Sequence, residues 1–274
     1  MSLIDTRTAL QRFIDKHADQ DIGWFFDFDG TLVPLSTNPE DIAVPAELVG
    51  DLKALQAHPH FHVAVVSGRS LANLSAHLPV PDTIALSGNH GMEYQYGGRI
   101  WCDQQAVRAE TAIQSVSRDL QHLSDRFPQT VVEDKRYSLS IHYAFTDPQH
   151  IHQLEETIAQ AITPYQEMVR TAPAKMCIEI RPRHGGHKGL AVRRLSHLWG
   201  WEAHRIIFPI VFGDDLTDED AFSVARKNGL AVRVGGLTSS TQATLTVEDP
   251  SAVSAILHQF ITRPFESAHS NPFA

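Results

Sequence analysis

Short apolar runs that stop abruptly at small or acidic residues recur along the chain. Residues 22–26 run into Asp27, residues 61–66 into Ser67, and residues 205–212 into Gly213. Runs this short, apolar at both parities, suit strands buried on two faces, as in a parallel sheet. Residues 83–86 and 230–234 have the same character. Amphipathic helical spacing fills the intervals: 45–57 with Leu48, Leu52 and Leu55 on one face, 71–78, 188–199 with Leu190, Leu195 and Leu198, 218–227, and 252–261. The first twenty residues are polar, with Leu10, Phe13 and Ile14 at helical spacing. Alternating strands and helices predict right-handed crossovers and an α/β, doubly wound parallel sheet, whose ligands lie beyond the carboxyl ends of the strands.

The middle of the chain breaks this rhythm. A helix is expected over 105–127, a hairpin over 130–133 and 137–145, a second helix over 149–162, and strands over 167–171 and 175–181. Helix-strand-strand given twice is an α+β pattern. Residues 1–104 and 185–274 are therefore expected to form a core, and residues 105–184 an inserted cap. In the cap, Leu139, Ile141, Tyr143 and Phe145 share one parity, and Ser138, Ser140 and His142 the other. Met176, Ile178 and Ile180 alternate with Lys175, Cys177, Glu179 and Arg181. Period-two alternation sends the apolar set onto the cap helices and leaves a polar face to cover the active end of the core.

The composition, 42% hydrophobic and 20% charged, is that of an ordinary globular protein of 274 residues. The formal charge of -9, from 23 basic and 32 acidic side chains, argues against nucleic acid or an anionic membrane as partner. Cys102 and Cys177 form no CxxC pair and show no neighbouring base, so both are expected to be inert thiols of a reducing compartment. With no apolar run of signal-peptide or membrane-span character, the expected location is cytoplasmic and the expected state a monomer.

The chemistry gathers at the strand ends. In Asp27-Phe28-Asp29-Gly30-Thr31 two carboxylates leave a buried strand, a placement that calls for a cation, and a divalent magnesium ion ligated by oxygen supplies one. Gly213-Asp214-Asp215-Leu216-Thr217-Asp218 repeats the device; Ser67-Gly68-Arg69 marks a third strand end, and Lys188 opens the helix after the cap. No GxSxG elbow, P-loop or HExxH is present. His184 and His187, beside two glycines, lack a third ligand and are expected to form a solvated hinge loop.

These four ordered motifs resemble those of the haloacid dehalogenase superfamily. The resemblance implies Asp27 as nucleophile, Asp29 as general acid/base, Ser67 and Lys188 as phosphoryl ligands, and magnesium held by Asp27, the Asp29 carbonyl and Asp214. Asp215 and Asp218 would orient Lys188 or metal-bound water, with Thr31 in support. The runs Ser87 to Glu93, Glu133 to Tyr143, Lys175 to Pro182 and Gly213 to Phe222 look like the trehalose-phosphatase branch, with Asn89 where that branch often has Ser or Ala. The implied substrate is a phosphorylated disaccharide. Its contacts would come from Arg69, Asn89, His90, Gly91 and Glu93 of the core and from Lys135, His142, Lys175, Glu179 and Arg181 of the cap. Two roles stay open for Arg69, capping a carboxylate or touching substrate, and Glu179 with Arg181 could form a cross-strand ion pair. The alternative substrates are other phosphorylated glycosides. A phosphoacceptor signalling domain is the rival of a different class, and it has no need for Asp29 or a cap.

Overall fold

The structure, a computed structural model, describes residues 3–36, 41–174, 176–236 and 240–262. Lys175, expected at the substrate face, lies outside the described residues. The elements in chain order are α1 (Leu3–Lys16), β1 (Asp21–Phe26), α2 (Ala46–Gln56), β2 (Phe61–Val66), α3 (Leu71–His77), β3 (Ala85–Gly88), β4 (Glu93–Tyr96) and β5 (Arg99–Cys102). There follow α4 (Gln104–Asp119), α5 (Leu123–Arg126), β6 (Val131–Asp134), β7 (Leu139–His142), α6 (Ile151–Ile162), β8 (Val169–Ala174) and β9 (Cys177–Pro182). The last are α7 (Lys188–Ala203), β10 (Ile207–Gly213), α8 (Glu219–Ala225), β11 (Leu230–Val234), β12 (Leu245–Val247) and α9 (Pro250–Thr262).

Eight strands form one sheet in the order β12-β11-β10-β1-β2-β3-β4-β5. From β12 to β3 neighbouring strands are parallel; β4 and β5 add an antiparallel edge. Both faces are covered, which is why the strands read as continuous apolar runs. Ile22, Trp24 and Phe26 of β1 pack with residues of α1, α2, α3 and α9, while Phe25 packs with Trp199 and Leu195 of α7 and Phe222 of α8. Helices on both faces make the sheet doubly wound, as expected. Strands β1 and β10 lie side by side at its centre, so Asp27 and Asp214 leave neighbouring strand ends.

The second sheet, β6-β7-β9-β8, is antiparallel throughout. Its register sets Leu139 beside Ile180 and Ile141 beside Ile178 on one face, and Ser140 beside Glu179 and His142 beside Cys177 on the other. The first set packs with Ile113 and Val116 of α4 and with Leu154 and Ile158 of α6. The parity reading therefore gives the faces of the paired residues correctly, but Phe145 and Met176, expected on the apolar face, are 69% and 49% exposed because both lie outside the strands, where period two no longer applies.

Three local features differ from expectation. The helix expected over 105–127 breaks after Asp119 into α4 and α5. Leu120, Leu123 and Phe127 are all buried, and their helical spacing runs straight across the break, so periodicity does not show it. The β4–β5 hairpin is not anticipated. Its signal was Gly97-Gly98, the two-residue turn between Tyr96 and Arg99, where both glycines take the positive φ (58° and 70°) that primed hairpin turns need. Strand β12 has only three residues, too few for a periodic signal.

Removing the Phe212 ring, which is fully buried with its centroid 5.1 Å from that of Phe26, should cost about 3–5 kcal/mol in a Phe212→Ala variant. Ile100→Ala, on the exposed β5 edge, should stay within about 0.5 kcal/mol of the parent. Chemical denaturation of the two variants checks the contrast.

Candidate active site

Asp27 follows β1 and is 6% exposed; Lys188, the first residue of α7, is 3% exposed. The Lys188 Nζ lies 2.7 Å from Asp27 Oδ1 and donates to Asp218 Oδ1 at 2.8 Å. The second oxygen of Asp218 accepts the backbone N–H groups of Asp214 and Asp215 at 3.1 and 3.0 Å. Asp218 is thus a strut: it folds the β10 exit into a tight turn and fixes the lysine. Asp215 caps that turn in return, its side chain bonding the Asp218 backbone.

Carboxylate oxygens of Asp27, Asp214 and Asp218 all lie within 4.8 Å of one another. Two glycines make this approach possible. A Cβ on Gly30, whose φ is +78°, would sit 2.3 Å from Asp214 Oδ2; one on Gly213 would sit 2.3 Å from the Asp218 carboxyl carbon. No other residue fits either position without displacing a carboxylate.

Burial pushes the Asp27 carboxyl well above the usual range, and Asp218 and Asp214 add to the shift while Lys188 opposes it. Asp214 is raised to about 6, by burial first and then by Asp218 and Asp215. Burial disfavours the Lys188 ammonium, but Asp218 and Asp27 outweigh it and hold the proton above the ordinary lysine range. One ammonium among three carboxylates leaves negative charge uncompensated, and the donors are all hard oxygens. That set fits a magnesium-like ion. Asp218 already spends both oxygens on Lys188 and the backbone, so Asp27 and Asp214 are the side chains with capacity to hold it.

Asp29 points elsewhere. Both of its oxygens take Arg69, Nε at 2.8 Å and Nη2 at 2.8 Å. The guanidinium also donates to Asn73 at 2.7 Å and lies over the Phe28 ring, 5.3 Å from its centroid. Of the two roles open for Arg69, this structure shows the carboxylate partner. Ser67 Oγ is buried and accepts the Arg69 backbone N–H at 3.1 Å. The Thr31 hydroxyl is fully buried with no hydrogen-bond partner among the described residues.

The polar face of the second sheet lies against this end of the core and is itself largely buried. Lys135 Nζ donates to the Gly68 carbonyl at 3.1 Å and lies 3.6 Å from Glu133 and 4.0 Å from Glu179. His90, at φ +56°, places Nε2 3.1 Å from Glu179 and 2.7 Å from Arg181. Burial lowers His90 to about 3, so its imidazole is neutral. Burial also works against the Glu179 carboxylate, but His90, Arg181 and Lys135 outweigh it and keep Glu179 ionised. Glu179 and Arg181 do pair, but as residues two apart on β9 rather than across strands. Gly91 sits against the His187 carbonyl, and Glu93 accepts the Leu71 N–H at 3.1 Å and the Asn89 amide.

His142 is half exposed and bonds Glu133 at 3.0 Å. A hydrogen bond with Cys177, then one with Glu133, raises it to about 9. Cross-strand pairing sets Cys177 beside His142, a neighbour that sequence distance hid, but His142 raised in this way is a cation at neutral pH and not a base for the thiol. His187, expected in a solvated loop, caps α7 by accepting the Leu190 N–H at 3.2 Å. Residues missed as site members are Asn73, Glu133 and Ser138. Ser138 carried a usable signal, since it shares the parity of the polar face.

A sequence description of the trehalose-phosphatase family matches residues 25–251. A trehalose-6-phosphate phosphatase of Escherichia coli is 34% identical over 224 residues, covering 80% of this chain and 79% of that protein. The trehalose-phosphate phosphatase B of Arabidopsis thaliana is 29% identical over 269 residues, covering 93% and 71%. A crystal structure described as a trehalose-6-phosphate phosphatase related protein superposes with a TM-score of 0.75 at 28% identity, covering 87% of this chain and 96% of that one. The C-terminal domain of a Candida albicans trehalose-6-phosphate phosphatase shares the fold, with a TM-score of 0.77 at 24% identity and coverage of 92% and 96%. With the family pattern matched over residues 25–251 and a relative 34% identical over most of both chains, this chain belongs to the trehalose-phosphatase family.

Proposed function

We propose that the protein hydrolyses trehalose 6-phosphate to trehalose and phosphate, with Asp27 as the acceptor of the phosphoryl group. The observation that carries this reading is the contact of Lys188 with Asp27 at 2.7 Å, inside a carboxylate cluster at the ends of β1 and β10. An Asp27 oxygen attacks phosphorus, the bond between phosphorus and the sugar oxygen breaks, and Asp29 gives its proton to the leaving oxygen. Water then attacks the aspartyl-phosphate, Asp29 takes its proton, and Asp27 is regenerated with release of phosphate.

Lys188 orients the nucleophile and offsets charge on the phosphoryl oxygens, while Asp218 fixes the lysine. Ser67 supplies a hydroxyl to the same group. Asp27 and Asp214, with the Asp29 carbonyl, would hold magnesium, which when bound neutralises the charge on the phosphoryl oxygens. Asp29 cannot serve while Arg69 occupies both of its oxygens, so substrate binding is expected to draw the two apart.

The inserted residues 105–184 act as a cap that closes over the sugar. Glu93, Lys135, His142, Glu179 and Arg181 line the seam between cap and core or lie beside it, and supply donors and acceptors suited to sugar hydroxyls. Asp103, which caps α4, and the positive-φ pair Gly185 and Gly186 stand at the two crossings as hinges. Among the described residues no helix is long and apolar enough to cross a membrane, and a cytoplasmic, monomeric enzyme is the expected form.

Purified protein with magnesium should turn over trehalose 6-phosphate with the highest kcat/KM in a panel of sugar phosphates. A preference for glucose 6-phosphate, sucrose phosphate or a glycosyl phosphoglycerate would contradict the substrate. Lys188→Ala strips the cation from the buried Asp27 and Asp218 carboxylates and should destabilise the fold by about 3–5 kcal/mol in metal-free buffer. Added magnesium should recover part of that loss in a thermal melt.

A further inference from the structure

Asn89 was expected to contact substrate; in the structure its side chain is engaged by three protein groups. It is fully buried. Its amide nitrogen donates to Glu93 Oε2 at 2.5 Å and to the Lys135 carbonyl at 3.0 Å, and its oxygen accepts the Ser138 hydroxyl at 2.6 Å. Its backbone N–H donates to the Arg69 carbonyl at 2.6 Å, and its φ is +50°. One side chain thus joins two groups that are far apart in sequence. On the core side Glu93 also accepts the Leu71 N–H at the start of α3, directly after the Ser67–Arg69 turn. On the other side is the tight turn of residues 135–138, closed by Lys135 N–H to the Ser138 carbonyl at 3.0 Å.

We infer that Asn89 is the latch of the closed cap: its amide seats the 135–138 turn on the core and so positions Lys135 over the Ser67–Arg69 turn. The inference rests on the proposed capping of trehalose 6-phosphate. Three features support it. A side-chain amide is donor and acceptor at once, and this one uses both sets of atoms, so a shorter hydroxyl could not span Glu93, Lys135 and Ser138 together. The turn it holds carries Lys135, whose Nζ reaches the Gly68 carbonyl, and Tyr137, which packs with Met92 and Ala106. The contacts between latch and turn are polar, so opening exchanges them for hydrogen bonds to water at small net cost.

The test uses Asn89→Gly in the full chain, because glycine keeps the positive φ while removing the amide. Ser138→Ala removes one partner and leaves the backbone alone. Relative to wild type, kcat/KM of N89G for trehalose 6-phosphate should fall roughly ten-fold further than for p-nitrophenyl phosphate, a small ester that needs no sugar enclosure. Amide hydrogen exchange at residues 135–138 should quicken in the same variant. S138A should show a smaller change of the same kind, and the double variant should be no worse than N89G alone. Equal losses on both esters, no loss on either, unchanged exchange at 135–138, or additive single effects would each overturn the latch. A wild-type enzyme without preference for trehalose 6-phosphate would sink the substrate reading instead; the exchange measurement would still judge the latch.

Discussion

A single ammonium set among two buried carboxylates and a third that is half-buried governs the architecture around it. Lys188 touches Asp27 and Asp218 while Asp214 stands within the same cluster. Bringing like charges this close in a buried site is costly, because mutual repulsion and lost hydration both disfavour ionisation. The fold meets that cost in several ways. Asp218 is satisfied by the lysine and two backbone N–H groups, and Gly30 and Gly213 clear the space for the approach. Apolar layers on both faces of the sheet hold β1 and β10 in register. What remains among the described residues is a cluster of carboxylate oxygens whose hard donor set suits a divalent cation.

The second sheet obeys a different rule. Its apolar face forms a cluster of its own with α4 and α6, apart from the two clusters that flank the large sheet. Its contacts with the core's active end are mostly hydrogen bonds and ion pairs, Lys135 to Gly68, His90 to Glu179 and Arg181, and Asn89 to the 135–138 turn, with Tyr137 packed against Met92 as an apolar contact beside them. Apolar packing inside each layer and largely polar contacts between them suit an enclosure able to open. A polar seam of this kind suits selectivity, since a buried polar group left unpaired by a wrong substrate costs more than a lost apolar contact.

The fold was legible because its strands are buried on both faces and end in chemically distinctive residues. β2 and β11 match the expected ranges, and the doubly wound order followed from alternation alone. What escaped was what periodicity cannot encode. The break after Asp119 keeps helical spacing, β12 is too short, and the β4–β5 hairpin was signalled only by Gly97-Gly98. At the site, the motifs located Asp27, Asp214, Asp218 and Lys188, which the structure brings together. The orientation of Asp29 toward Arg69, the His142–Cys177 contact and the reach of Asn89 depend on rotamers and on pairing between distant segments. No single-sequence pattern carries that information.

The central claim is that Asp27 itself becomes phosphorylated. Rapid mixing of enzyme, magnesium and trehalose 6-phosphate, followed by acid quench within the first turnover and peptide mass spectrometry, addresses it directly. The account predicts a mass gain of one phosphoryl group on the peptide containing Asp27, labile to base and absent from Asp27→Asn. Phosphate on any other residue, or an Asp27→Asn variant that turns over at the wild-type rate, would contradict it.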